Sequence, residues 1–214
     1  ASYKDQVLTK EGKLKSNYQK KINLHTENYL NTEYLGFYSK DSLSPLRFLE
    51  IRQAINYGFD RRKMLKYLRN NIGSPAINGF IPKGMPSFND SLIGFSYNPK
   101  FAQKLISKAI KLNNGPLDPI VLSTTSSYLD LCEYIQNELS NIGLNIEINV
   151  NPPSIHRQMV ATSKLSFFRG SWIADYPDAE NYLSLFYSKN HSPLGPNYTH
   201  FENKEYDNLY LKSL

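Results

Sequence analysis

A chain of 214 residues, 40% hydrophobic and 21% charged, is long enough to bury a real core and is expected to form one or two subdomains. No apolar run approaches the ~20 residues needed to cross a bilayer, and the single cysteine, Cys132, excludes an intramolecular disulfide. The net charge of +6 raises nucleic-acid or membrane-surface binding, but the basic residues fall in separate segments (Lys10 to Lys21, Arg61 to Lys66, Lys100 to Lys111), mostly on the polar faces of periodic patterns, which argues against either; no nucleic-acid partner is expected.

Residues 1 to 30 are polar and Lys-rich with scattered apolar positions, the pattern of a connecting segment; the folded unit is expected over residues 31–214. Thr32 to Tyr38 alternates aromatic and small residues as a strand does. Pro45 then opens a predicted helix in which Leu46, Leu49, Ile51, Ala54 and Ile55 recur near helical spacing as far as Gly58. Asp60 stands where an N-cap belongs, with Met64, Leu65 and Leu68 as the apolar stripe of the next helix.

Asn70 to Asn98 is rich in Gly, Pro, Asn and Ser, yet Ile77, Phe80, Ile81, Met85, Phe88 and Phe95 give it residues to pin down. A loop of this length inside a domain is uncommon and often functional. A helix is predicted from Pro99 to Leu112, stopped by Asn113-Asn114-Gly115-Pro116. Ile120 to Ser123 reads as a strand, Tyr128 to Asn141 as a helix closed by Gly143 with Cys132 buried on it, and Leu144 to Val150 as a strand. Strand, helix and strand in that order imply a right-handed parallel crossover. Pro153 to Ala161 is a short predicted helix, Leu165 to Ser171 a strand, Asn181 to Tyr187 helical, and Asn203 to Leu211 the last helix. The fold class is α/β, a mixed sheet flanked by helices.

The segment from Phe168 to Asp178, with the only tryptophan and a Pro turn carrying two carboxylates, stands out. It places a flat side chain and a fixed negative charge at a strand end, where concave sites form, and suggests a small ligand with a positive group. The plainer alternative is a core tryptophan and acids engaged in turn chemistry.

Three further motifs accompany it. Arg52-Gln53-Ala54 with Tyr57, Asp60 and Arg61 has the form R-Q-A-x-x-Y-x-x-D-R; Tyr97 to Ile106 resembles Y-x-P-x-x-A-x-x-L-L; and Ile135 to Leu144 precedes a strand before the final W-x-x-D-Y-P-D. This ordered set, from about Thr32 to about Leu209, resembles the extracellular solute-binding protein family 5, the peptide-binding components of ABC importers. The resemblance implies a periplasmic-binding-protein-like lobe of the type II cluster, one of two that close around a ligand, and family members are roughly twice this length. It also implies a peptide ligand, a first lobe and a membrane permease as partners, a monomer, no cofactor, and a place in the periplasm or on the extracellular face, with a lipid anchor as one means of attachment. Export rests on this resemblance, because the chain begins at Ala1 and carries no signal peptide.

By the same resemblance Asp175 accepts the peptide's α-ammonium, Trp172 forms a pocket wall with Tyr176 beside it, and Arg169 meets a ligand carboxylate or pairs with a structural acid. The chain departs from the family at Ala179, often a proline, which opens the question of the turn after Asp178. Relatives that bind nickel chelates or oligosaccharides leave those ligands as alternatives. Catalysis is not expected: His25, His156, His191 and His200 lack metal-ligand spacing, nucleotide and nucleophile-elbow motifs are absent, and Asp175 and Asp178 are too close in one turn to flank a glycosidic bond.

Overall fold

The computed structural model of the chain describes residues 3–214; residues 1 and 2, at the start of the expected connecting segment, lie outside the described residues. Eight helices and four strands follow one another among the described residues: α1 Tyr3–Val7, β1 Asn31–Phe37, α2 Leu49–Gly58, α3 Arg61–Arg69, α4 Pro99–Leu112, β2 Ile120–Thr124, α5 Leu129–Ser140, β3 Ile146–Val150, α6 Pro153–Ala161, β4 Phe167–Ile173, α7 Glu180–Leu183 and α8 Lys204–Ser213. The sheet order is β1-β4-β2-β3. β2 runs parallel to both β3 and β4, while β1 is antiparallel to β4 with Asn31 opposite Ile173 and Phe37 opposite Phe167. The predicted mixed sheet is therefore present, with its parallel β2-α5-β3 unit.

Side chains alternate across β4 as the pleat requires. Phe167 enters the main core, where α2, α4 and α5 lay Ile51, Ile55, Ala102, Ile106 and Leu139 against Ile120 and Leu122. Its ring stacks on Phe37 with centroids 5.1 Å apart. Phe168, pointing the other way, packs with Val160, Leu165 and Tyr34 under α6. The close approach of α2 to α5 depends on Gly58, where an added Cβ would lie 2.6 Å from a Leu139 methyl. Cys132 is fully buried in the main core, as expected.

Local chemistry explains the helix ends. Asp60 caps α3 by accepting from the N–H groups of Arg62 and Lys63, as predicted. Asn98 caps α4 through Phe101 N–H, with Pro99 in the first turn. Gly143, at φ +89, provides the left-handed residue that ends the α5 region.

The helix predicted from Pro45 is broken. Pro45–Arg47 forms a 3-10 turn, Phe48 is extended at ψ 126, and α2 starts only at Leu49. Leu46 and Ile51 would point roughly 140° apart on one continuous helix; the break lets both enter the core, while Leu49 stays exposed. The stripe expected on α3 is also shallow, since no residue of that helix is fully buried; Met64 packs against the main core from its edge.

Residues 3–15 make an unexpected attachment. Leu8 pairs with Leu14 in an antiparallel bridge and is itself buried. Lys10 Nζ donates to Tyr67 O at 2.9 Å and Asn70 Nδ2 to Thr9 O at 3.1 Å, so this segment lies against the end of α3.

The stretch between α7 and α8 is organised around Asn197, which is fully buried and donates to Tyr187 O and Phe201 O. Here the rings of His191 and His200 stack 4.6 Å apart, and His200 Nε2 lies 2.9 Å from Ser192 O. Burial, and then the nearby His191 and Lys40, push the His200 imidazole below its ordinary 6.5 against the opposing bond to Ser192. The folded state therefore favours neutral His200. Its contribution is complete above the unfolded value near 6.5 and is lost as pH falls through the lower folded value. Thermal unfolding of wild type should show this acid-side decline, and His200→Gln should flatten it; identical pH profiles would show that His200 does not carry it.

Candidate functional site at the end of β4

Trp172 is the next-to-last residue of β4, opposite Thr32 of β1. Its indole is half-buried against the cluster formed by Met85, Tyr182 and Leu185, and Nε1 donates to Asn181 Oδ1 at 2.7 Å. Phe80 and Ile81 of the long loop pack into the same cluster, and Thr32 Oγ1 donates to Phe80 O at 2.9 Å. The aromatic residues of this loop thus pin it beside the tryptophan, while its Phe95 meets Tyr57 elsewhere, with centroids 5.1 Å apart.

The Pro turn follows. Ala174 N–H donates to Leu30 O at 2.9 Å, and Tyr182 Oη donates to the same carbonyl at 2.6 Å. After the turn, Asp178 Oδ1 accepts from Glu180 N–H at 2.8 Å and so ties the start of α7. Ala179 has φ −63, the angle that a proline ring imposes, so alanine there leaves the turn geometry intact.

The two carboxylates of the motif are used differently. Asp178 is part of the turn, whereas the exposed carboxylate of Asp175 has no hydrogen bond or ion pair with the described residues. Tyr176 lies beside it, half exposed, with its hydroxyl donating to the Glu180 carboxylate. Glu180 also accepts from Tyr210 Oη at 2.6 Å, which joins α8 to the turn. Asp178→Ala should cost about 1 kcal/mol of stability, the scale of a lost cap; a melting experiment that shows no loss would mean that the bond to Glu180 N–H is not maintained in solution.

Arg169 is placed apart from Trp172. Being an odd number of residues away, it projects from the opposite face of β4, where its guanidinium pairs with Glu33 and lies over the Tyr128 ring, 3.1 Å from the centroid. Burial lowers its pKa to about 10, which still leaves it charged at neutral pH. His156 Nε2 lies 2.9 Å from Arg169 O and fastens α6 to the same strand. The structure thus brings Trp172, Asp175 and Tyr176 to one strand end and engages Arg169 with a structural acid behind it.

A hollow of about 430 Å³ lies nearby, between the long loop and the segment from α7 to α8. Phe80, Leu92, Leu183, Phe186, Phe201 and Tyr206 line it. Sequence reasoning missed this feature because Phe186, Phe201 and Tyr206 come from three different elements. The only advance signal was the aromatic content of the long loop. Among the described residues, no group of three or more His, Cys, Asp or Glu side chains is arranged to hold a metal ion.

The structure is similar to that of the periplasmic binding protein DppA from Helicobacter pylori in complex with the peptide STSA, with a TM-score of 0.76 at 20% identity, covering 86% of this chain and 36% of that one. The sequence is 25% identical to the heme-binding protein A of Haemophilus influenzae over 91% of this chain and 36% of that protein. It is 24% identical to the oligopeptide-binding protein OppA of Bacillus subtilis, covering 89% of this chain and 35% of that protein. The chain therefore spans just over a third of the length of these curated relatives. Its mixed sheet with flanking helices is the type II fold of periplasmic peptide-binding proteins. Residues 4–193 match the model of the bacterial extracellular solute-binding proteins, family 5, middle region, and the chain belongs to that family.

Proposed function

We propose that this chain is the ligand-binding lobe of an ABC importer's receptor for dipeptides or oligopeptides, and that it works by binding rather than by catalysis. The observation that carries the reading is the division of labour between the two motif carboxylates: Asp178 ties the turn, and Asp175 stands exposed without an internal partner. A fixed carboxylate of this kind accepts an ammonium through charge-assisted hydrogen bonds and sets a peptide's register without reading its side chains. Trp172 walls the site, and Tyr176 borders it. Arg169 acts as a positioning residue that holds β1 to β4 through Glu33.

Names of relatives support the peptide class, among them the oligopeptide-binding OppA of Bacillus subtilis and the dipeptide-binding protein of Escherichia coli. An oligosaccharide ligand fits less well, because the Trp172 indole is tied through Nε1 to Asn181 and packed against the cluster of Met85, Tyr182 and Leu185 rather than left free as a stacking platform. The heme-binding relative keeps a larger apolar ligand as the second reading, for which the aromatic hollow would supply the surface.

In this proposal a first lobe of the same protein closes over the ligand, the closed form engages a membrane permease, and the receptor acts as a monomer outside the cytoplasmic membrane. Residues 1–30 serve as the connection near the hinge, with residues 31–214 as the lobe. A lipid anchor would hold the receptor at the membrane. Titration of this chain and of the complete two-lobe protein with the same peptide pool tests the scheme. Binding should be far weaker for this chain, since many closed-state contacts come from the other lobe. Equal affinities would sink the two-lobe mechanism.

A further inference from the structure

We propose that the corner formed by residues 3–22 and α3 is an electrostatic docking surface for an anionic membrane. In sequence the basic residues of these two segments are far apart, but the fold brings them together through the contacts of Lys10 with Tyr67 and of Asn70 with Thr9. Residues 3–22 carry six lysines against Asp5 and Glu11, and α3 carries five basic residues and no acid. The chain's formal +6 therefore originates here.

The acids facing this corner from other elements are few. Asp130 at the start of α5 takes Arg69 at 2.7 Å, Glu138 takes Lys63 at 3.5 Å, and Asp60 is committed to the α3 cap. Lys13, Lys20, Lys21 and Arg62 remain exposed, with no ion pair formed among the described residues. The exposed apolar side chains Ile22, Leu24, Tyr67 and Ile72 belong to the same two segments and their continuations.

This combination fits a lipid surface better than a protein. Lysine is depleted in protein interfaces, where arginine and buried aromatics dominate. Flexible lysines bordered by an aromatic and aliphatic fringe suit headgroups, with charges in the headgroup layer and the fringe at its boundary. A family whose members work outside the cell meets such a surface at the membrane. Docking would keep the receptor close to the bilayer and would be weakened by salt within a Debye length of about 8–10 Å.

Sedimentation of the purified chain with vesicles tests the proposal. Vesicles of phosphatidylcholine with about 30 mol % phosphatidylglycerol should bind it, phosphatidylcholine alone should not, and about 0.5 M salt should release it. The triple variant Lys13→Glu, Lys20→Glu, Lys21→Glu should lower partitioning at least about tenfold. The matched triple Lys100→Glu, Lys104→Glu, Lys111→Glu on α4 makes the same net-charge change elsewhere and should stay within about threefold of wild type. Equal binding to both vesicle types, or equal losses in the two triples, would overturn the proposal. Tighter binding to a DNA duplex than to the anionic vesicles would also overturn it, assigning the corner to nucleic acid.

Discussion

Asp175→Asn in the complete two-lobe protein is expected to weaken peptide binding by roughly 2–5 kcal/mol, the scale for breaking a desolvated charge pair. The melting temperature should hardly move, because the exposed carboxylate makes no hydrogen bond or ion pair with the described residues and such surface changes usually stay within about ±0.5 kcal/mol. A purely structural role predicts the reverse, a lower melting temperature with affinity intact. Calorimetric titration with free and N-acetylated peptide, together with a thermal melt, measures both arms. If acetylation weakens binding to wild type and not to the variant, the carboxylate receives the ammonium. If wild type is indifferent to acetylation, Asp175 does not.

Phe167→Ala is expected to produce the opposite pattern. The ring is fully buried where β4 meets β1, stacked on Phe37 and packed into the core between the sheet and its helices. Truncation should cost about 3–5 kcal/mol through lost transfer energy and the cavity left behind. For a chain of this size that loss lowers the melting temperature by on the order of 10 °C. Denaturant unfolding would settle it; a loss below about 1 kcal/mol would mean that neighbouring side chains collapse into the space.

The legible parts of this chain are those set by neighbours in sequence. α4 begins and ends where Asn98, Pro99 and Asn113 say it should. The α3 cap at Asp60 and the α5 stop at Gly143 were readable for the same reason. The placement of β4 between β1 and β2 was not, because pairing partners are chosen by tertiary packing over long separations. Pro45 gave a true start signal, but core packing required a break at Phe48 that no local propensity announces.

The candidate site divides in the same way. The motif singled out Trp172, Asp175 and Tyr176 as a contiguous group, and the fold keeps them at one strand end. Which acid is committed to the turn could not be read from D-Y-P-D, since both are spaced for turn chemistry and only the bond to Glu180 N–H separates them. Arg169 finds its acid, Glu33, 136 residues earlier in the chain, beyond the reach of any local pattern. The contact of residues 3–15 with α3 was equally hidden, because it runs through main-chain carbonyls at Tyr67 and Thr9, which sequence does not distinguish.

The shared carbonyl of Leu30, taking one bond from Ala174 and another from Tyr182, has a thermodynamic meaning for recognition. It clamps the chain just before Asp175, while Asp178 secures it just after, leaving Asp175, Tyr176 and Pro177 as a short span between two anchors. Ordering a free backbone residue costs about 1–2 kcal/mol, and a long disordered loop would subtract that amount many times over from any contact it made. Here most of that loss is incurred during folding, so in the proposed role a ligand would meet Asp175 already held in place, and the affinity would reflect the new contact rather than the freezing of the loop.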